Sequence, residues 1–404
     1  MNCKNTVPVK WNSDTSYALG PYKILSRVIG IWPLDRFKNI TVLQVSFNSL
    51  LQFLVIIIFI HELIVKGNCS VITDIVDALS LIVTSTLSIF KIILPLVYKN
   101  RMYLIVNSAI EDWANIRNKQ SRVIMLKFAF VGRIVCIVQM VGAYMTMIPL
   151  IFGNPPSFHQ FSFDKFKDNS TLLRNIPIGP NCWVPTSMSM FMYIAYYGLI
   201  TVHLFILCTS YIGGDVYIFG IAMHVCGQLQ LLYNEMENLS GKTNFFSLRK
   251  QISHLSQRHS FLLQLSNEFE KTFNFIILLQ VAANTFLISI SGILLLWSLK
   301  TGDNKIIIST LIRIYLLYFQ LYIYSYIGEA LSTQTKKLQV ALYNSTWYEM
   351  SPFIAKDLMF IIMRTSYPFH LTAGKIYDMN TANFKDLVKM MFSYFSVLRL
   401  MFIE

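Results

Sequence analysis

The sequence predicts an all-α membrane protein with seven transmembrane helices and a cytoplasmic N-terminus. Helices 4–6 are expected to extend into a packed cytoplasmic bundle. Three observations carry this. Of 404 residues, 54% are hydrophobic and only 14% charged, whereas a soluble domain carries roughly 25% charged residues. The basic residues are shared very unequally between alternate loops. Finally, two further apolar segments fall on the cytoplasmic side, where only protein can cover them.

Residues 1–42 form a mixed, polar cytoplasmic segment with Trp11, Trp32 and Pro33. It lacks the basic, apolar, small-residue order of a cleavable leader, so the first span is expected to act as the insertion signal. Spans 1–4 occupy 43–212, at Leu43–Val65, Val71–Tyr98, Met125–Phe152 and Ser187–Ile212. Spans 5 and 6 occupy 272–331, at Thr272–Leu299 and Ile306–Leu331. The last helix lies in 381–404, with its hydrophobic part at Phe384–Phe402.

Segment 211–232 is apolar enough to be an eighth span, although it holds Asp215, His224, Gln228 and Gln230. The positive-inside rule excludes it. With seven spans the inner segments hold 24 Lys and Arg against seven outside, and with eight the count becomes 15 against 16. The net charge of +13 therefore reflects topology, and no nucleic-acid partner is expected.

Two cytoplasmic segments, 213–271 and 332–380, then contain apolar stretches that need burial. In 343–366, Trp347, Met350, Ile354, Leu358 and Ile361 recur at helical spacing, which makes one apolar face. Ser351-Pro352 supplies a capping hydroxyl and a first-turn proline, and Pro368 ends the segment. A packed bundle is expected, with a single amphipathic helix on the membrane face as the alternative.

The last segment spans a membrane badly. Lys385, Asp386 and Lys389 occupy its first turns, Arg399 lies near its end, and the clean apolar run Met390–Leu398 is nine residues. A lone spanning helix needs about 20. Either neighbouring helices shield it and leave one side wet, or its charges snorkel to the headgroups.

Outside, the long loop is 153–186, rich in proline; Cys69 and Cys182 are the two cysteines on that side, and a disulfide between them is open. The six cysteines form no CxxC pair, so no zinc site is suggested. Enzyme constellations are also missing: His61-Glu62 has no partner histidine one turn on, and no GxSxG or phosphate loop occurs. No catalytic residue, metal or cofactor is implied. Gly213-Gly214-Asp215 reads as a bend at the exit of span 4.

Three cations lie within spans. Lys91 and Arg133 are near the inner ends and are expected to snorkel. Arg313, two turns from the outer end of span 6, either snorkels outward or faces a polar cavity. The outer halves of spans 2 to 6 hold groups suited to an apolar pocket with polar handles. These are Ser80 and Thr84, then Met140, Tyr144 and Met147, then Tyr193 and Tyr197, and finally Tyr315 and Tyr318. Tyrosine also serves helix packing and interfacial belts.

Several motifs resemble one family. Ile29-Gly30-Ile31-Trp32-Pro33 resembles the N-terminal element of insect odorant receptors, and Lys91 through Arg101 resembles the end of their second span. Most specific is the run Leu371-Thr-Ala-Gly-Lys375 through Phe384, Lys389 and Ser393-Tyr394-Phe395-Ser-Val397-Leu398, which is similar to their final-helix signature. The Gln-Phe pattern of gustatory receptors is absent. The co-receptor's long insertion between spans 4 and 5 is also missing, so the chain resembles a ligand-tuned subunit.

The resemblance implies an odorant-binding subunit of a ligand-gated, non-selective cation channel. It implies a heterotetramer with the odorant co-receptor, a small volatile apolar ligand, and a plasma-membrane location in a sensory dendrite, among membrane lipid. It also implies a cytoplasmic anchor domain and a central pore lined by the last helix. Matched through Ser393-Tyr394-Phe395, the gate positions fall on Val397 and Met401, with Leu400 beside them. Arg399 so close to them is unusual for a cation pore. A seven-span G-protein-coupled chemoreceptor is the alternative; the N-in topology and the missing acidic-Arg-Tyr triplet after span 3 stand against it.

Overall fold

In the computed structural model the described residues are 11–35, 39–66, 72–156, 174–184, 188–240 and 244–403. The side chains at 39–40, 66, 72, 181, 394 and 398–403 fall outside this set. The helices are α1 (Ser13–Ile29), α2 (Asn39–Lys66), α3 (Ile72–Val97), α4 (Lys99–Asn115) and α5 (Lys119–Gly153). They continue as α6 (Met190–Glu237), α7 (Phe245–Thr301), α8 (Asn304–Asn344), α9 (Pro352–Thr365) and α10 (Thr381–Ile403). A small hairpin, β1 (Thr372–Ala373) and β2 (Tyr377–Asp378), joins α9 to α10.

Among the described residues six helices are long and apolar enough to cross a membrane: α2, α3, α5, α6, α7 and α8. The seventh, α10, packs against α7 and α8. The result is the expected all-α, seven-helix membrane fold.

Helices α6, α7 and α8 run on well past a bilayer. The 48 residues of α6 extend about 72 Å at 1.5 Å per residue, against a hydrocarbon core of about 30 Å. The 57 residues of α7 and 41 of α8 likewise exceed it. Positions 212, 271 and 331 fall inside these helices, so no break marks where membrane gives way to cytoplasm. Every residue of α6 from Gly213 to Leu229 is buried. A helix buried on all sides is wrapped by protein, here by α1, α3, α5, α7 and α8. That is how the apolar stretch 211–232 avoids both water and lipid.

The fit is close enough to require glycine. A Cβ on Gly220 would lie 2.3 Å from the Tyr22 ring, and one on Gly328 would lie 1.8 Å from the Met379 carbonyl oxygen.

Three sequence expectations need correction. Lys91 does not snorkel: it is 2% exposed, paired with Asp215 and 3.0 Å from the Tyr211 carbonyl oxygen. Arg133, half-buried, donates from Nη1 to Tyr17 O at 2.8 Å and covers the Tyr17 ring with its guanidinium. Residues 213–215 form no bend, because a carboxylate that finds buried partners can stay in a continuous helix. In 343–366, Trp347 lies on a separate 3-10 turn, Trp347–Glu349, and the helix begins only at Pro352. Ser351 stands at its N-cap position but makes no side-chain capping bond. Ile354, Leu358 and Ile361 do face the core.

Helix α1 was not foreseen. Asn12 caps it by accepting from Thr15 N at 2.7 Å, and Gly30 closes it in the left-handed region at φ 91°. Trp32 follows, 4% exposed, so the Ile29–Pro33 motif is the corner where α1 turns toward α2. Cys182 is disulfide-bonded. Cys136, Cys208 and Cys226 are free, and Cys69, the partner left open for Cys182 by the sequence, lies outside the described residues, as does Cys3.

Candidate functional site

A cavity of about 510 Å³ opens between α3, α5, α6 and α8. Its walls are mainly carbon: Leu81, Val138, Leu150, Leu204, Leu207 and Leu316. Of the nine pocket residues expected from sequence, Ser80, Thr84, Met147 and Tyr315 line it.

The other five lie elsewhere. Met140 packs against the main core. Tyr144 shares a 2.8 Å hydrogen bond with Thr209. Tyr193, fully buried, donates to Asn175 O at 2.7 Å, and Tyr197 donates to Ile151 O at 2.9 Å. Through their hydroxyls Tyr193 pins the outer loop to α6, and Tyr197 pins the end of α5 to it. Tyr318 lines a second, smaller cavity of about 190 Å³ against α10.

Sequence reading missed Asp77, Gln139, Thr146, Tyr211 and Gln320 as polar lining groups, and left Arg313 open between snorkelling and a cavity. Arg313 Nη2 donates to Asp77 Oδ1, which decides between snorkelling and a cavity. The usable signal was a cation and an anion at similar depth in two apolar helices, because lipid leaves them few other partners.

The cavity floor belongs to a buried polar network. Tyr211 donates to Gln320 Oε1 at 3.0 Å and accepts from Gln280 Nε2 at 2.8 Å. Gln280 also donates to Asn284 Oδ1 at 2.8 Å. Gln320 Nε2 and the Tyr324 hydroxyl both donate to Asp215, which pairs with Lys91. Each Asp215 oxygen thus has a donor, the condition under which a buried charge is tolerated. The network ties α3, α6, α7 and α8 together beneath the cavity.

Helix α8 has two working faces. Tyr315, Leu316, Phe319 and Gln320 meet the cavity. Tyr318 stacks on Phe392 at 6.3 Å, and Tyr322 meets Phe384 edge-on at 5.7 Å, both partners lying on α10. On α10, Phe395 packs at Gly292, where an added Cβ would come within 3.2 Å of its ring. Val397 points away from that contact and is exposed in the isolated chain. The side chains of Leu400 and Met401, like that of Arg399, lie outside the described set.

A sequence profile of the family described as 7tm odorant receptor matches residues 71–392. The chain belongs to the insect odorant receptor family. Putative odorant receptor 85e of Drosophila melanogaster is 27% identical over 143 residues, covering 35% of this chain and 30% of that protein. Odorant receptor 10 of Aedes albopictus is 24% identical over 149 residues, covering 37% and 39%. The aligned part is thus only about a third of these curated relatives. The fold likeness runs further. The insect olfactory receptor OR5 of Machilis hrabei superposes with TM-score 0.75 over 95% of this chain and 99% of that one, at 12% identity. The same receptor in complex with eugenol gives TM-score 0.73.

In this odorant receptor chain the signature Leu371–Lys375 is not helical but the hairpin that sets α10 in place. Gly374 and Lys375, at φ 60° and 61°, make the tight turn such hairpins need. Thr372 Oγ1 donates to Glu270 Oε1 at 2.7 Å, and Gly374 N donates to Asn274 O at 3.0 Å, both on α7. Thr381 Oγ1 and N donate to Glu329 Oε2 on α8 at 3.1 and 3.3 Å. The start of α10 is therefore clamped to both helices that it must answer to.

Proposed function

We propose that this chain is the odorant-binding subunit of a heteromeric, ligand-gated, non-selective cation channel in the plasma membrane, assembled with the odorant co-receptor. The observation that carries the reading is the double role of α8, which walls the cavity with one face and holds α10 with another. A ligand in the cavity that favours one position of α8 would bias α10 by the same free energy. Couplings of about 1–3 kcal/mol are usual for such linked sites. At the far end of α10, Val397, Leu400 and Met401 would form an apolar ring with the other subunits. A narrow apolar ring blocks ions by dewetting, and widening it lets water and cations through. The sensing residues are those lining the cavity, with the network from Tyr211 to Lys91 as its rigid floor.

The experiment is a current recording from cells expressing this chain with and without the co-receptor, across an odorant panel. Odorant-evoked cation current only when both are present is the expected result. Robust current from this chain alone would remove the heteromeric part of the reading. A response that requires G-protein coupling and no channel opening would remove all of it.

A further inference from the structure

The polar atoms of the cavity restrict what it can take. The inference rests on the receptor reading above and deepens it to a ligand class. The serine and threonine hydroxyls on the wall have already given their hydrogens to the protein. Ser80 donates to Val76 O at 2.6 Å, Thr84 to Ser80 O at 2.8 Å, and Thr146 to Ala143 O at 2.8 Å. The Tyr211 hydroxyl is committed to Gln320 and Gln280, and the Gln320 amide to Asp215.

Two lining side chains are left unsatisfied. Gln139 is 7% exposed and its Oε1 has no partner; Arg313 gives Nη2 to Asp77 but its buried Nη1 has none. A buried polar group left unpaired costs roughly 1–3 kcal/mol, and more when charged. A ligand oxygen that reaches the guanidinium recovers that cost. A hydrocarbon cannot.

Charge narrows the class further. Arg313 and Asp77 already cancel, so a carboxylate or an ammonium would bring an uncompensated charge into a mostly carbon-lined space. Such burial costs several kcal/mol. We propose that the cavity selects neutral, mostly hydrocarbon molecules bearing one hydrogen-bond-accepting oxygen, a carbonyl or a hydroxyl, which is received by Arg313.

The test applies an alkane, a ketone, an alcohol, an amine and a carboxylic acid of matched chain length. Activation is read as current from the full chain with the co-receptor, and binding as thermal stabilisation of the purified full chain. The ketone or the alcohol is expected to act at concentrations at least about tenfold lower than the other three, and comparison of those two arms tells which oxygen is preferred. The paired variant Asp77→Asn with Arg313→Met removes both charges together and strands neither. It should cut that advantage to below about threefold. If the variant does not reach the surface, the unmodified panel decides alone.

Equal potency of the alkane, or preference for the acid or the amine, overturns the ligand class. An unchanged preference in the paired variant at normal surface level overturns the assignment to Arg313. Stabilisation by the oxygenated ligands without current overturns the channel reading and leaves the class standing. Neither binding nor current from any member overturns both.

Discussion

The cytoplasmic and outer halves are built from the same three helices, α6, α7 and α8, and differ in how those helices are covered. In the cytoplasmic half, α6 is buried on every side and glycine lets Tyr22 lie against its backbone. Polar groups there are cross-linked: Asp112 on α4 holds both His224 on α6 and Arg258 on α7, and Arg258 also holds Gln228. In the outer half α6 and α8 part, with α3 and α5, around a cavity whose serine and threonine hydroxyls bond only to their own helices. Dense contact makes a region open rarely, and sparse contact makes it adaptable. One half is suited to hold an assembly together and the other to change shape around a ligand. The Lys91–Asp215 network sits at the border and belongs to both.

The sharpest way to break this contrast is to strand a charge at that border. Asp215→Ala leaves Lys91 buried without its carboxylate, which should cost roughly 3–5 kcal/mol and abolish surface expression. Replacing both, Lys91→Met with Asp215→Leu, should restore folding, as counted by surface staining. Failure of the double variant to recover would mean the pair does more than satisfy its own charges.

Next comes the glycine contact. Gly220→Val drives a side chain into the Tyr22 ring and should cost about 3 kcal/mol, measured as lower thermal stability in detergent. Tyr22→Ala in the same chain should return part of the loss. A mild effect of Gly220→Val alone would argue against a rigid cytoplasmic half.

The cytoplasmic half should also respond to acid. Burial, with the Arg364 charge nearby, pushes the His259 imidazole down to about 4. The unfolded chain then binds the proton first, so stability falls as pH drops from about 6.5 toward 4. The His259→Leu variant should lose that part of the pH dependence, as read by thermal melts between those values.

On α10 the prediction separates two faces. Val397→Ser should raise ligand-independent current several-fold, because a hydroxyl wets an apolar ring. Phe395→Ser should instead lower surface expression, since Phe395 packs at Gly292. Neutralising Arg399 alongside them, with ion selectivity as the readout, tells whether that cation faces the ring.

The smallest effect is expected at the cavity hydroxyls. Ser80→Ala and Thr84→Ala should each shift dose–response curves less than about threefold, because their hydrogens are already bonded within α3. A larger shift would mean that a ligand rearranges those bonds.

Much of this protein was decided locally and could be read from residue types and spacing. Apolar runs set the spans, and uneven Lys and Arg excluded an eighth. The surplus apolar length of 211–232 and 343–366 required a cytoplasmic bundle, since neither water nor lipid was available to cover it. The weak apolarity of α10 required neighbours, and α7 and α8 provide them. What tertiary structure alone decided was which side chains meet. Lys91 and Asp215, or Asp77 and Arg313, are more than a hundred residues apart in sequence, and only helix packing puts each pair in contact. Tyr193 and Tyr197 carry the same composition signal as a ligand contact, yet their hydroxyls are spent on the outer loop and on the end of α5. The face that a tyrosine shows depends on the rotation of its helix against its neighbours, which is a property of the packed whole.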